Sequence, residues 1–272
     1  MARLSLHNVE SPRVKAVIFD WGGTTVDFGC HAPVKSMIAS FKDNGLDIDE
    51  STVRSTIGIS KKAHIELLLD RINNHSPNID GISKLGHVSD RIYERFLEHL
   101  RHEIVAHNDV VPGLNEVLDY LSDENIRIGS TTGYTRGNIK LISRDVASKG
   151  FAPECIVCSD EVAQGRPSPL MALTNMCRLG IWPAKHCIKV DDSIAGIQEG
   201  INANMWTVAV VLSGADAGLT TEQVDHMDPA TLNAIVQQAS ENFYRSGCDF
   251  VIPTVRELPG VIQIINSTLS AA

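Results

Sequence analysis

The chain contains 272 residues, of which 43% are hydrophobic and 21% charged, and its formal net charge is −9. A chain of this length can bury a sizeable core, either as one domain or as a core with an inserted second domain. The negative charge argues against nucleic acid or an anionic membrane as a partner, because such binding usually requires a basic surface. It does not exclude an anionic substrate, since a few cations and a metal ion can reverse the sign inside a cleft.

The sequence favours a cytoplasmic protein. No apolar run approaches the roughly 20 residues that a membrane span requires, and the polar N-terminus lacks the apolar stretch of a signal peptide. The six cysteines are therefore expected to stay reduced. Cys155 and Cys158 form a C-x-x-C pattern, but it has no partner pair at zinc spacing and lies in an apolar run. We interpret both as packing residues.

Short apolar runs alternate with helical patterns along most of the chain. The predicted strands comprise residues 14–19, 126–130, 155–158, 188–190 and 206–212, and the first four lead into Asp, Ser or Thr. The predicted helices between and after them comprise residues 114–121, 136–149, 169–179 and 195–203. This alternation predicts an α/β fold with a doubly wound, mainly parallel sheet. Ligands bind such sheets at the carboxyl ends of the strands, which is where these polar residues collect.

Residues 28–108 interrupt the alternation, because they show helical patterns and no convincing strand. The helices are predicted at residues 33–44, 60–73 and 89–102, with a loop at residues 73–86. A helical segment that directly follows the first strand is expected to form a cap domain over the cleft. The predicted organisation is a tail of residues 1–12, a core of residues 13–27 and 109–272, and a cap of residues 28–108.

The sharpest motif begins at Asp20, directly after the first predicted strand. A carboxylate here, followed by Gly22, Gly23 and two threonines, provides an exposed nucleophile and a turn whose amides can hold an oxyanion. Taken alone, the motif could also be a strand-end turn with a capping carboxylate. It resembles the first motif of the haloacid dehalogenase superfamily, which is written D-x-D-x-T.

Three further motifs of that superfamily follow in the expected order. Thr132 resembles the hydroxyl residue that binds the phosphoryl group. Arg166 matches a position usually occupied by Lys, where a fixed cation would neutralise the nucleophile and the transferring group. Asp191 and Asp192 resemble the acidic motif that holds Mg²⁺, and hard oxygen ligands suit that ion.

Two positions depart from the superfamily pattern. Gly22 replaces the second Asp of the first motif, which in ordinary phosphatases protonates the leaving oxygen and then activates water. Gly196 lies four residues after Asp192, where many relatives carry another acid. A carbon leaving group would explain Gly22, because a P–C bond can break if a protonated imine accepts the electrons. That chemistry requires a lysine within reach of an aldehyde in the cleft.

The segment between the first two strands contains two candidate lysines, Lys61 and Lys62, at the start of a predicted helix. Lys62 could lower the pKa of Lys61 and leave that amine partly neutral. His64 lies three residues after Lys61, on the same helical face, and could transfer protons during imine formation. Without other information this stretch would be an exposed basic helix start, and physical reasoning alone does not choose between the two lysines.

Longer strings resemble the phosphonoacetaldehyde hydrolase family within the same superfamily. They are D-W-x-G-T-T-V-D at residues 20–27, G-S-T-T-G-Y-T-R at 129–136, G-R-P-x-P at 165–169 and N-A-x-M-W-T-V at 202–208. The resemblance covers nearly the whole chain. It implies a Schiff base between Lys61 and the aldehyde of phosphonoacetaldehyde, an aspartyl-phosphate at Asp20, and acetaldehyde and phosphate as products.

The resemblance also implies the remaining roles. Mg²⁺ would be bound by Asp20, by the backbone carbonyl of Gly22 and by Asp192, and His64 would be a catalytic residue. The expected substrate-binding residues are Gly23, Cys30, Thr132, Tyr134 and Arg166. The family is typically dimeric, so a homodimer with helices of the cap at its interface is expected.

Two other functions stay open at this point. A phosphomonoesterase or sugar-phosphate mutase of the same superfamily would share Asp20, Arg166 and Asp192, but it should require a carboxylate at Gly22. A non-catalytic binding protein would explain both Gly22 and Gly196. The joint retention of the nucleophile, the lysine, the arginine and the metal-binding acid argues against it.

Overall fold

The computed structural model of the chain describes residues 12–75 and 82–271. Six strands form one sheet in the order β3-β2-β1-β4-β5-β6, and every pairing in it is parallel. The strand bounds are β1 Ala16–Phe19, β2 Arg127–Thr132, β3 Cys155–Cys158, β4 Cys187–Asp191, β5 Trp206–Val210 and β6 Phe250–Ile252. The prediction of a doubly wound parallel α/β fold is confirmed. The strand order reverses between β1 and β4, which is where such sheets bind ligands.

The described helices fall between and after the strands. Their bounds in the described residues are α1 His31–Asp43, α2 Glu50–Arg54, α3 Lys61–His75, α4 Ile82–Ala106, α5 Leu114–Asp123, α6 Arg136–Ser148, α7 Leu170–Arg178, α8 Ile194–Asn202, α9 Thr221–His226, α10 Pro229–Arg245 and α11 Leu258–Ala271. All five predicted strands are present within a few residues of their expected ends. The sequence did not indicate β6, because three residues carry too short a pattern.

Five helices, α1 to α5, lie between β1 and β2, and the described residues of this connection contain no strand. The helical character of the connection is therefore confirmed. The predicted loop at residues 73–86 is wrong at both ends, because α3 continues to His75 and α4 begins at Ile82; residues 76–81 lie outside the described residues. Helix α4 stays helical through Gly86 because it buries a continuous apolar stripe further along, at Ile92, Phe96, Leu100 and Ile104.

The apolar core is continuous from the sheet into these helices. Phe19 and Trp21 belong to the same buried cluster as Met37 and Phe41 of α1. Trp21 is completely buried, its ring meets Phe151 edge-on, and its Nε1 donates to the Ser130 hydroxyl at 2.9 Å. The residue that follows Asp20 therefore anchors the end of β1 firmly.

Other predictions concern the cysteines, the chain ends and membranes. Cys155 and Cys158 lie in β3, as predicted, and both are free thiols. The predicted tail of residues 1–12 lies outside the described residues except for residue 12. In the described part of the chain, none of the helices combines the length and the apolar character needed to cross a membrane.

Candidate active site

Asp20 follows β1 and begins a tight turn at the carboxyl edge of the sheet. The turn closes through Gly23, whose amide donates to the Val26 carbonyl at 2.8 Å. Gly23 has a φ of +83°, and a Cβ on it would lie only 2.4 Å from Oδ2 of Asp192. Glycine is required here both by the left-handed backbone and by the close approach of Asp192. The expected substrate-binding role of the Gly23 amide conflicts with this geometry, because the turn already uses that donor.

Arg166 joins three buried carboxylates. Its Nη2 donates to Oδ1 of Asp20 at 2.6 Å and lies 3.1 Å from Oδ2 of Asp191, while its Nε donates to Oε2 of Glu199 at 3.0 Å. Burial alone would lower the pKa of Arg166, but Asp191, Asp20 and Glu199 outweigh it and raise the pKa well above its usual value. Arg166 is thus a permanent cation fixed against Asp20, as the sequence indicated.

Two charged residues of this region were not recognised in the sequence. Lys189, in the middle of β4, is fully buried, and its Nζ lies 2.6 Å from Oδ2 of Asp191 and 3.8 Å from Oε2 of Glu199. Glu199, on α8, is also fully buried and accepts a hydrogen bond from the Thr131 hydroxyl at 3.1 Å. A lysine inside an apolar strand run was the one available signal, because a buried ammonium requires carboxylate partners.

Six of the buried charged residues form what we call the strand-end charge cluster: Asp20, Arg166, Lys189, Asp191, Asp192 and Glu199. Carboxylate oxygens of the three aspartates lie within 4.8 Å of one another, and they are the one group in the described residues with the composition and spacing to hold a metal ion. The cluster contains four carboxyl groups and two basic groups. Burial raises the pKa of Asp192 well above its usual value, and its neighbours Asp191 and Asp20 raise it further.

The three aspartates differ in what they contact. Asp191 is committed to protein donors, since Ser193 donates its amide and hydroxyl to Oδ1 while Lys189 and Arg166 contact Oδ2. Burial would raise the pKa of Asp191, but the two cations outweigh it and the pKa is lowered. Asp192 lines the cleft instead, and it accepts from the Thr24 hydroxyl at 2.9 Å and the Ala215 amide at 2.9 Å.

A cleft opens beside this cluster. It brings together eight of the ten residues expected from the sequence: Asp20, Gly22, Cys30, Lys61, Thr132, Tyr134, Arg166 and Asp192. The Thr132 hydroxyl accepts from the Tyr134 amide at 3.1 Å, which leaves its own hydrogen free to be donated to a ligand. Gly23 and His64 are the two expected residues that do not line the cleft.

The position of the missing second acid is covered by two side chains. A Cβ on Gly22 would lie 3.3 Å from the Tyr134 hydroxyl oxygen and 3.5 Å from Sγ of Cys30. A side chain at residue 22 would therefore begin in contact with both groups, and it would press slightly on the Tyr134 hydroxyl. Burial raises the pKa of Tyr134 and of Cys30 well above their usual values, so both groups keep their protons at neutral pH. The protonated side chains of Tyr134 and Cys30 therefore lie where the side chain of an acid at residue 22 would begin.

The structure distinguishes the two candidate lysines. Lys61, the first residue of α3, is half-buried and lines the cleft. Burial lowers the pKa of Lys61 and Arg166 contributes in the same direction, while Cys30 and Asp20 oppose them. Lys62 points to solvent, where its Nζ lies 2.8 Å from Oδ1 of Asp90 and its side chain is 56% exposed. The expected cause of the lowered pKa is thus corrected, since burial and Arg166 lower it rather than Lys62.

His64 lies on the same helix but is turned into the protein interior. It is 1% exposed, and its Nε2 is 3.2 Å from the Val53 carbonyl of α2. The carbonyl can only accept, so Nε2 carries the hydrogen, and Nδ1 is buried without a hydrogen-bond partner. Burial lowers the pKa of His64 to about 3, and Lys61 contributes to the shift. A neutral ring with so low a pKa is a poor proton acceptor, which weighs against the expected catalytic role.

Comparison with known proteins assigns this arrangement to a class. A family model described as haloacid dehalogenase-like hydrolase matches residues 14–204. The chain therefore belongs to the haloacid dehalogenase-like hydrolases, and the strand-end carboxylate, hydroxyl, cation and acidic pair occur in the order that the sequence indicated.

More similar proteins narrow the class. A relative from Bacillus cytotoxicus named phosphonoacetaldehyde hydrolase is 38% identical over 256 residues, which cover 93% of this chain and 97% of the relative. A relative of the same name from Bacillus cereus is 38% identical over 258 residues with the same coverage. A crystal structure of a phosphonoacetaldehyde hydrolase like protein from Oleispira antarctica is 32% identical, with a TM-score of 0.90 and 96% of each chain covered. Among the haloacid dehalogenase-like hydrolases, the chain is a member of the phosphonoacetaldehyde hydrolase family.

Proposed function

We propose that this chain hydrolyses the P–C bond of phosphonoacetaldehyde to acetaldehyde and phosphate. One observation carries the proposal: Lys61 lines the same cleft as Asp20 and Arg166. A primary amine opposite a fixed carboxylate and guanidinium fits a small substrate with an aldehyde at one end and a phosphonate at the other. The names of the relatives point to the same substrate.

We propose Mg²⁺ as the cofactor, because the donor set fits it. The cluster of three aspartates offers the hard oxygen ligands that Mg²⁺ prefers. Asp20, Asp192 and the backbone carbonyl of Gly22 would hold the ion, since Asp191 is occupied by Lys189, Arg166 and Ser193. The bound ion would supply positive charge that lowers the repulsion between Asp20 and the phosphonate oxygens.

The first proposed step is condensation of Lys61 with the aldehyde. The amine must be neutral to attack, and burial in the cleft lowers its pKa in the required direction. Addition to the carbonyl carbon followed by loss of one water gives an imine, whose protonated form withdraws electrons from the adjacent carbon. Lys62 is unsuitable for this step because it is exposed and paired with Asp90.

The second proposed step breaks the P–C bond. A carboxylate oxygen of Asp20 forms a bond to phosphorus, and the P–C electron pair moves into the imine to give an enamine. Arg166 and the Thr132 hydroxyl stabilise the phosphoryl oxygens. The enamine is then protonated at carbon, one water hydrolyses the imine to acetaldehyde and Lys61, and a second water cleaves the aspartyl-phosphate. The net reaction consumes one water.

Two groups of the cleft are expected to stay protonated throughout the reaction. Tyr134 and Cys30 both line the cleft with raised pKa values, so they are suited to donate hydrogen bonds to the substrate rather than to give up or accept a proton. We propose that His64 fixes α3 against α2 through Val53 instead of activating water. The water that attacks the aspartyl-phosphate would then be oriented by groups of the cleft and by the bound ion.

We propose that residues 28–108 act as the cap of this site. Cys30, Ile57, Gly58 and Lys61 from that region line the cleft together with Asp20. Their closure over the substrate would exclude water while the imine is present. A homodimer and a cytoplasmic location are carried over as predictions; light scattering of the purified protein tests the former and fractionation of cells the latter.

The decisive experiment is reductive trapping. The protein is incubated with Mg²⁺ and phosphonoacetaldehyde, borohydride is added, and the modified peptide is identified by mass spectrometry. We expect a substrate-dependent adduct on Lys61 and none on Lys62, which serves as the internal control. No adduct, with substrate intact and a generic phosphate monoester hydrolysed, would replace this proposal with a phosphomonoesterase. Failure to bind beryllofluoride with Mg²⁺ at Asp20 would instead favour a non-catalytic binding protein.

A further inference from the structure

Residues 191 and 196 compete for the same space. Gly196 lies in the first turn of α8, where its amide donates to the Ser193 hydroxyl at 3.1 Å. A Cβ on Gly196 would lie 2.0 Å from both Cγ and Oδ2 of Asp191 and 2.2 Å from Oδ1. These separations are far below van der Waals contact, so the Asp191 carboxylate occupies the volume in which a side chain at residue 196 would begin.

The Asp191 carboxylate is not free to move aside. Its Oδ1 accepts from the amide of Ser193 at 3.0 Å and from the hydroxyl of Ser193 at 2.7 Å. Its Oδ2 lies 2.6 Å from Nζ of Lys189 and 3.1 Å from Nη2 of Arg166. All of these groups are buried, so displacing the carboxylate would remove the shorter of the two carboxylate contacts of Lys189 and one of the three of Arg166.

The same Arg166 nitrogen contacts both Asp191 and Asp20. Nη2 lies 3.1 Å from Asp191 and 2.6 Å from Asp20, while Nε is held separately by Glu199. Asp191 and Glu199 therefore fix the guanidinium at two points and direct it towards Asp20. Asp191 does not line the cleft itself, and its contact with Arg166 is a route by which it can act on the group that faces Asp20.

We infer that Asp191 is a positioning residue that holds Arg166 against Asp20. Asp191 supplies this carboxylate from the end of β4, and it takes the place of a carboxylate that an acidic residue at position 196 would supply from α8. Gly196 is one of the two positions at which the sequence departs from the superfamily pattern. A carboxylate built on residue 196 would start at the atoms of the present one, within reach of Arg166 and Lys189. The carboxylate can come from either position, and steric overlap excludes both together.

The steric part is tested without substrate or metal. We expect Gly196→Ala to lower the midpoint of thermal unfolding by roughly 5 °C or more, because the new methyl group overlaps Asp191. In the Asp191→Gly background the same substitution should leave the midpoint unchanged or raise it, since alanine favours a helix more than glycine does. An equal decrease in both backgrounds overturns the inference.

The positioning role of Asp191 rests on the proposed function, and it is tested by moving the carboxylate from residue 191 to residue 196. We expect Asp191→Gly to lower kcat about a hundredfold, the scale of one lost electrostatic contact in the transition state, while borohydride still traps the imine on Lys61. Asp191→Asn keeps the shape of the side chain but loses its charge, so its kcat should be as low as that of Asp191→Gly. If the role of Asp191 were purely structural, asparagine would restore the wild-type kcat. The double variant Asp191→Gly, Gly196→Asp should recover at least about tenfold of the loss.

The outcomes separate the two proposals. A double variant that unfolds at the wild-type temperature but is no faster than Asp191→Gly overturns the positioning role. Wild-type protein that neither forms the Lys61 adduct nor releases phosphate refutes the proposed function. In that case the unfolding comparison with Gly196→Ala still decides whether residues 191 and 196 exclude each other.

Discussion

The two sides of the cleft are built differently. On the sheet side, the strand-end charge cluster is buried, and ion pairs connect its members. One side chain, Arg166, contacts the three carboxylates of Asp20, Asp191 and Glu199. On the helical side, Lys61 is half-buried at the first residue of α3. Three buried polar atoms of this side, Thr56 Oγ1, His64 Nδ1 and Ser89 Oγ, have no hydrogen-bond partner, against one in the cluster, Glu199 Oε1.

This difference matches the two tasks that we propose. A phosphoryl group gathers charge in the transition state, so its binding groups must be fixed before the substrate arrives. Imine formation requires an amine that approaches an aldehyde, loses a proton and later releases the product. Lys61 takes no part in the ion pairs of the strand-end charge cluster, so its amine is available for those changes. The sheet side is thus preorganised for the phosphoryl group, and the helical side presents a reactive amine.

The largest effect is expected from Asp20→Asn. The amide keeps the shape of the side chain but cannot accept the phosphoryl group, so phosphate release should fall on the order of 10⁵-fold or more. Borohydride trapping on Lys61 should persist, because the imine forms on the other side of the cleft. Phosphate release within tenfold of the wild-type rate would show that Asp20 is not the nucleophile.

Lys61→Arg tests the helical side. Arginine keeps the positive charge but its guanidinium does not form an imine, so turnover should fall roughly a thousandfold or more. Lys62→Arg is the matched control, and it should remain close to wild type because Lys62 is exposed on the neighbouring position. Acetaldehyde production is measured for both variants. Similar losses in the two variants would contradict the assignment of Lys61.

Arg166→Lys tests how far the sheet side depends on its cross-links. A single ammonium group cannot contact Asp20, Asp191 and Glu199 in the geometry of the guanidinium. We expect kcat to fall about a hundredfold. The lysine variant should still form the Lys61 adduct. Wild-type kcat would mean that charge alone, without the fixed geometry, is sufficient.

His64→Gln should change the pH dependence of stability more than the activity. Because burial lowers the pKa of His64 to about 3, its stabilising contribution is complete above the unfolded pKa near 6.5 and is lost as the pH falls towards 3. Between about pH 4 and pH 6 this residue should therefore increase the slope of the unfolding free energy against pH by at most roughly 1.4 kcal/mol per pH unit. Urea unfolding of the wild type and His64→Gln should show slopes that differ by about this amount. Parallel slopes would indicate that His64 is protonated in the folded protein.

Much of the sheet side could be predicted from the sequence because its residues lie at strand ends. Parallel strands present their carboxyl ends at one edge, so Asp20, Thr132 and Asp192 had to converge once the strands were recognised. The helices between β1 and β2 were also predictable from their apolar spacing. The loop within them was placed too broadly, since glycine and asparagine near helix ends do not prevent helix continuation when a buried stripe holds the helix.

The tertiary structure alone decided how these groups meet. Lys61 and Lys62 are adjacent and chemically alike, and only the rotation of α3 relative to the cleft turns one towards Asp20 and the other to solvent. Lys189 and Glu199 became part of the site because β4 and α8 bring them together in the interior. The overlap of Asp191 with residue 196 is likewise a through-space contact. Sequence spacing fixes which residues share a strand end or a helix face, whereas packing between elements decides which charges become partners.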